Sequence, residues 1–134
     1  MKIEELKLPT YFVKHYSSFP ELTPIQQKAV QAGILNNKSL LICAPTASGK
    51  TLVGTMAICN ILGDGKALYL VPLRALATEK YREYQDLLKN TEYKVTSATG
   101  DVDSDSSYLS NYDLTILTTE KLDSLLRHRV GWLN

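Results

Sequence analysis

Apolar residues in this chain gather in short strand-length segments that alternate with stretches of helical spacing. Leu40–Ala44, Ala67–Val71, Tyr93–Ala98 and Leu114–Leu117 are such segments. Each predicts a strand, and the wholly apolar Leu40–Ala44 predicts one buried on both faces. Between them the spacing turns helical. Thr23 is a plausible N-cap with Pro24 at the first helical position, opening a helix to about Asn36. Lys50 to Leu62 predicts a second helix, ended by Gly63-Asp64-Gly65. Arg74 to Lys89 is the clearest, with Leu73, Leu76, Ala77, Tyr81, Tyr84, Leu87 and Leu88 at spacings of three and four. Thr119 to Arg127 predicts another. Residues 2–19 read as partly helical, interrupted at Leu8-Pro9-Thr10, and Tyr108–Asn111 as a turn of helix. Strands alternating with helices imply βαβ units, hence an α/β fold with a mostly parallel sheet and flanking helices.

Composition narrows the class. A length of 134 residues suits about one domain, and 44% hydrophobic with 22% charged residues excludes a mainly disordered chain. The net charge of +1 gives no global attraction to a polyanion, so any nucleic-acid contact must be local. Cys43 and Cys59 cannot make a disulfide framework, and neither has metal-ligand spacing; both read as small buried residues. No apolar run approaches the ~20 residues of a membrane span. The start, Met1-Lys2-Ile3-Glu4-Glu5, lacks the pattern of a signal peptide. A cytoplasmic, reducing location is the expectation.

Candidate chemistry concentrates in Ala44-Pro45-Thr46-Ala47-Ser48-Gly49-Lys50-Thr51, where a predicted buried strand ends and a helix begins. A triphosphate needs many donors, close approach and positive charge. Backbone N–H groups of Pro45–Thr51 other than the proline can converge on phosphate, and the helix N-terminus adds its dipole. Gly49 allows close approach without a Cβ. Lys50 can reach the β- and γ-phosphates, and the Thr51 hydroxyl can bind Mg²⁺. Ala44 stands where the consensus opens with Gly, and Ala47 where Gly is common.

The surroundings of this loop carry a resemblance. Leu22-Thr23-Pro24-Ile25-Gln26 precedes it; Val71-Pro72-Leu73-Arg74-Ala75-Leu76, Thr99-Gly100-Asp101 and Thr118-Thr119-Glu120-Lys121-Leu122-Asp123-Ser124-Leu125 follow the later strands. In that order the chain resembles the first RecA-like domain of a superfamily 2 helicase. It is most similar to the archaeal DExH-box DNA helicases of the Ski-like branch, which act on stalled replication forks. The resemblance implies a partial RecA-like P-loop domain over 23–134, an N-terminal helical segment over 1–22, and ATP and Mg²⁺ as cofactors. Single-stranded or forked DNA is the implied partner, with RNA not excluded. Gln26 matches the glutamine that reads the adenine edge, where an amide offers one donor side and one acceptor side. Arg74 matches a residue that touches the backbone of the tracking strand. Gly100, Asp101, Thr118 and Thr119 match two further strand-contacting motifs. Thr118 and Thr119 also read as helix N-caps, compatible with an anion site.

Other patterns carry less. Ser97-Ala98-Thr99 spells a coupling motif of these helicases but stands at the end of the third predicted strand, out of order. Asp101-Val102-Asp103-Ser104-Asp105 resembles the start of a calcium loop, yet Ser106 and Tyr112 replace its Gly and Glu. No hhhhDE strand supplies an acid for Mg²⁺ and a group to orient water. By resemblance that motif follows Asn134, and the chain is expected to be an ATP- and DNA-binding fragment of a helicase, inactive alone. The alternative is a stand-alone nucleotide- or nucleic-acid-binding module that never hydrolyses. A small-molecule P-loop kinase would need an Arg-rich lid, whereas Arg74, Arg82, Arg127 and Arg129 are the only arginines. The resemblance also makes Leu40–Ala44 an exposed apolar edge, from which self-association is expected.

Overall fold

The computed structural model describes residues 1–99 and 107–128. The chain divides into two compact units, Met1–Ile61 and Leu62–Asn134.

In the first unit, α1 (Thr10–His15) starts directly after Pro9, the residue that breaks the helical pattern. A 3-10 turn at Ile3–Glu5 precedes it, and an isolated antiparallel bridge joins Lys2 to Glu21. Helix α2 (Pro24–Gln31) begins at Thr23 with Pro24 in its first position. The expected continuation to Asn36 does not occur. Gly33 takes φ 102°, the left-handed conformation that ends helices, and the chain re-enters as a 3-10 turn over Ile34–Asn36. A Cβ there would also sit 2.6 Å from the Lys38 side chain. Helix α3 (Lys50–Ile61) packs against α2 and that turn, burying Val53, Met56, Ile58 and Cys59.

Leu40–Ala44 departs from expectation. It forms no strand, Leu41 is 91% exposed, and Cys43 is exposed instead of buried. An apolar run becomes a strand only when a neighbour completes its hydrogen-bond ladder. Among the described residues none pairs with this one.

The second unit holds β1 (Ala67–Val71), α4 (Arg74–Leu88), β2 (Val95–Ala98), a 3-10 turn (Ser107–Asn111), β3 (Leu114–Thr118) and α5 (Thr119–Arg127). The three strands form a parallel sheet in the order β1-β3-β2. The α/β class is therefore as expected. All five residues of central β3 are buried, as a strand covered on both faces and both edges requires. Helix α4 covers one face, where Tyr69 packs on Tyr84 with ring centroids 5.6 Å apart. Helix α5 packs on β3, where Leu125 joins Ala98, Leu109 and Leu117 in one buried cluster. Leu68 and Leu70 alternate with Tyr69 and so point to the face opposite α4, where they are 41% and 44% exposed. Ala98, the centre of the out-of-order Ser-Ala-Thr, is part of this core. The acidic run 101–105 lies outside the described residues.

Candidate functional site

The loop before α3 is shaped by two positive φ angles, Ala47 at 65° and Gly49 at 89°. At the second, packing also excludes a side chain. A Cβ on Gly49 would lie 2.5 Å from Gln26 Nε2 and 3.0 Å from Thr23 Oγ1. Gly49 is thus the residue that lets the N-terminus of α2 close on the loop. Ala47 adopts a conformation in which its Cβ is strained, at the place where Gly was expected.

Three hydrogen bonds make that closure specific. Thr23 Oγ1 donates to the Ser48 carbonyl at 2.9 Å. Gln26 Nε2 donates to the Gly49 carbonyl at 2.9 Å, and its Oε1 accepts from Thr23 N–H at 2.9 Å. Gln26 is only 4% exposed. Here its amide uses a donor and an acceptor within the protein, in the same donor–acceptor sense that an adenine edge would offer. The sequence pattern identified Gln26; it did not show that Thr23 is an equal partner in holding the loop.

Lys50 is exposed at the start of α3, and its Nζ donates to the Ala44 carbonyl at 2.8 Å. The ammonium therefore curls over the loop it would serve. Ser48 Oγ is buried with no hydrogen-bond partner, an orphan donor within the loop. Thr51 is exposed one residue into the helix. A cavity of about 480 Å³ opens beside the loop, lined by Ile25, Lys28, Cys43, Pro45, Ala47 and Ser48 among others. Thr46 lies in the turn that Pro45 and Ser48 close through Ser48 N–H to the Pro45 carbonyl, 3.3 Å. The start of a helix, a lysine and a spare hydroxyl fit a phosphate chain. Among the described residues no group of three His, Cys, Asp or Glu could hold a metal by itself. A Mg²⁺ here would rest on Thr51, water and the phosphates, the mixed set this ion favours.

In the second unit, register pairs Val71 with Thr118, so β1 and β3 end side by side. Arg74 opens α4 just beyond one and Thr119 opens α5 beyond the other. Arg74 is exposed, with no ion-pair partner among the described residues. Thr118 is buried and accepts from Lys121 N–H at 3.2 Å, a true N-cap; Thr119 is exposed. Gly100 and Asp101 lie outside the described residues. Arg127 pairs with Asp123 at 2.9 Å, and Arg129 is not described.

Comparison with known proteins gives the family and the fold. The family model for DEAD/DEAH box helicases matches residues 23–134. An ATP-dependent DNA helicase Hel308 from Methanocella arvoryzae is 46% identical over 141 residues, covering 100% of this chain and 19% of the relative. That from Pyrococcus horikoshii is 47% identical, covering 99% and 19%. The chain thus spans about a fifth of the length of these curated relatives. Among solved structures, the DUF1998 helicase MrfA matches with TM-score 0.76 at 23% identity, over 95% of this chain and 21% of that one. Its complex with DNA and AMPPNP matches with the same score at 25% identity, over 94% and 19%. With a parallel sheet and a family match over most of its length, the chain belongs to the DEAD/DEAH box helicases.

Proposed function

We propose that this chain binds ATP and single-stranded DNA as the first part of a helicase motor domain, residues 23–134, preceded by an N-terminal helical segment, residues 1–22. The observation that carries it is the phosphate loop clamped by Thr23 and Gln26, with Lys50 and Thr51 opening α3. Phosphates would take the amides around Ala47 and Gly49 and the Ser48 hydroxyl, with Pro45 and Thr46 shaping the turn. Lys50 would leave the Ala44 carbonyl for the β- and γ-phosphates, and Thr51 would help hold Mg²⁺. Gln26, already aligned, would meet the adenine edge with its remaining donor and acceptor positions.

Arg74 and Thr119, at neighbouring strand ends, would contact DNA phosphates, joined by Gly100 and Asp101. The DNA-helicase relatives and the DNA-bound neighbour support this choice of nucleic acid. No helix among the described residues is long and apolar enough to cross a membrane, and a cytoplasmic location is part of the proposal. Hydrolysis needs an acid on Mg²⁺ and a group that orients water. This sequence holds no hhhhDE strand, so the chain alone is expected to bind without turnover.

Titration of a fluorescent ADP analogue with Mg²⁺ into the wild type and Lys50→Ala tests the reading. Binding by the wild type that is lost in the variant is expected. Equal binding by both would overturn it.

A further inference from the structure

The second unit carries a cleft of about 250 Å³ at the end of its sheet where the strands begin. Tyr93 and Lys94 lead into β2 there, Tyr112 stands two residues before β3, and Leu88 and Lys89 lie at the end of α4. Arg74 and Thr119 stand at the opposite end, where β1 and β3 finish. The cleft is therefore separate from the residues proposed to meet DNA.

Hydrogen bonds fix the frame of this cleft. Thr91 Oγ1 donates to the Leu88 carbonyl at 2.7 Å and accepts from Tyr93 N–H at 3.2 Å. Lys94 N–H donates to Asp113 Oδ2 at 2.9 Å, and the Lys94 carbonyl accepts from Asp113 N–H at 2.9 Å and Leu114 N–H at 3.1 Å. The rings are placed as well. A Cβ on Gly63 would meet Tyr93 Oη at 2.8 Å, and Tyr112 stands edge-on to Tyr108. A site built before its ligand arrives spares the cost of ordering it.

The chemistry of the cleft is one-sided. Two lysines and no carboxylate line it, beside buried Leu88 and the half-buried rings of Tyr93 and Tyr112. Lys94 is exposed and has no ion-pair partner among the described residues. Lys89 pairs with Asp86 at 3.1 Å, both side chains more than half exposed, a contact that an incoming anion displaces at little cost. A second observation adjoins the first. The cleft opens onto β2, which lies at one edge of the β1-β3-β2 sheet, and among the described residues no strand pairs with its outer side. Such an edge can take the backbone of an added strand, while a neighbouring pocket takes its side chains.

We propose that this cleft and the outer edge of β2 dock an extended acidic peptide of a partner protein. One carboxylate would sit between Lys89 and Lys94. An apolar side chain two residues away, on the same face of the strand, would pack on Tyr93 and Tyr112. The cleft is smaller than the ~300–1,000 Å³ of typical small-molecule sites, which suits side chains of a peptide rather than a whole nucleotide. Nucleic acid fits less well for a further reason. Asp86 and Glu92, exposed and close in sequence to the lysines, would repel a run of phosphates yet leave room for one carboxylate.

Selection of random octapeptides displayed on phage by the immobilised chain tests this, followed by fluorescence polarisation with the enriched peptide made synthetically. Enriched sequences are expected to carry Asp or Glu two residues from an apolar side chain. Lys94→Ala should weaken the enriched peptide about three- to tenfold, and less at high salt. The Lys89→Glu, Lys94→Glu double variant should reject it and select basic peptides instead. Methylating alternate backbone nitrogens of the peptide should cost about tenfold, because edge pairing needs those N–H groups. The lysines are exposed, so the variants should keep the wild-type thermal midpoint, which separates a lost site from a lost fold. Selection without acidic enrichment, or equal binding by the wild type and both variants, overturns the proposal. Displacement of the peptide by labelled oligothymidylate, whose own binding falls in the double variant, overturns it in favour of nucleic acid. Loss of self-association in the double variant, with no peptide bound by the wild type, overturns it in favour of a second copy of the chain.

Discussion

Gln26 donates from its side-chain amide to the carbonyl oxygen of Gly49 at 2.9 Å, and a Cβ on Gly49 would fall 2.5 Å from that same nitrogen. The two residues define each other. Gln26 can reach the loop only because position 49 has no side chain, and the loop is held because Gln26 is buried with its other end on Thr23 N–H. A residue marked by the sequence as a candidate for nucleotide recognition is thereby also a structural strut of the loop before α3.

Gln26→Ala should therefore lower stability as well as nucleotide affinity. It leaves the Thr23 N–H and the Gly49 carbonyl without their partner, a loss of about 1–3 kcal/mol. Urea unfolding measures it. An unchanged midpoint, with only nucleotide binding reduced, would mean that the strut is dispensable.

The two positive φ angles of the loop predict opposite responses. Ala47→Gly removes left-handed strain from an L-residue and should stabilise by about 0.5–1 kcal/mol, since the strain relieved exceeds the added freedom of the unfolded chain. Gly49→Ala adds strain at φ 89° and meets Gln26 and Thr23, so it should destabilise and abolish nucleotide binding. Thermal melts of both variants decide, and a destabilising Ala47→Gly would contradict the account of the loop.

The two cysteines should differ sharply toward a thiol reagent. Cys43 is exposed and should label fast; Cys59 is buried and should label only on unfolding. Burial pushes the Cys59 thiol up from 9.0 to about 11, partly opposed by a hydrogen bond with Tyr11. Between those values the folded state keeps a proton that the unfolded state loses, so stability falls as pH rises from 9.0 toward about 11. The slope is at most about 1.4 kcal/mol per pH unit. Urea midpoints at several alkaline pH values should show this fall, and Cys59→Ala should flatten it. Equal slopes in both proteins would remove Cys59 as the cause.

Self-association of the isolated chain is expected from its exposed apolar residues. Leu41 is 91% exposed within a five-residue uncharged run, and Leu68 and Leu70 are exposed on the strand at one edge of the sheet. Unpaired edges of this kind recruit further strands. Light scattering across a concentration series should report species above 15.0 kDa, reduced by Leu41→Lys. A monodisperse monomer at high concentration would show that these segments do not pair.

Most elements were legible because their causes are local. The spacing of Leu76, Ala77, Tyr84, Leu87 and Leu88 places α4, Pro72 stops β1, and Gly63-Asp64-Gly65 follows α3. Thr118 announces α5 through a hydrogen bond three residues long. The loop Ala44–Thr51 stood out as a candidate for the same reason, its residue types being consecutive. Tertiary structure alone decided the rest. Strand order places β3 between two earlier strands, a choice of partner that no run of residues encodes by itself. The same dependence on a distant partner leaves Leu40–Ala44 without a ladder, although its composition is that of a buried strand. It also hides Gln26, whose hydrogen bond to Gly49 spans 23 residues, and exposes Leu73, which the helical pattern had counted with the core. Periodicity and punctuation are properties of a short segment, so the sequence states them directly; burial and pairing belong to the neighbours that the folded chain brings together.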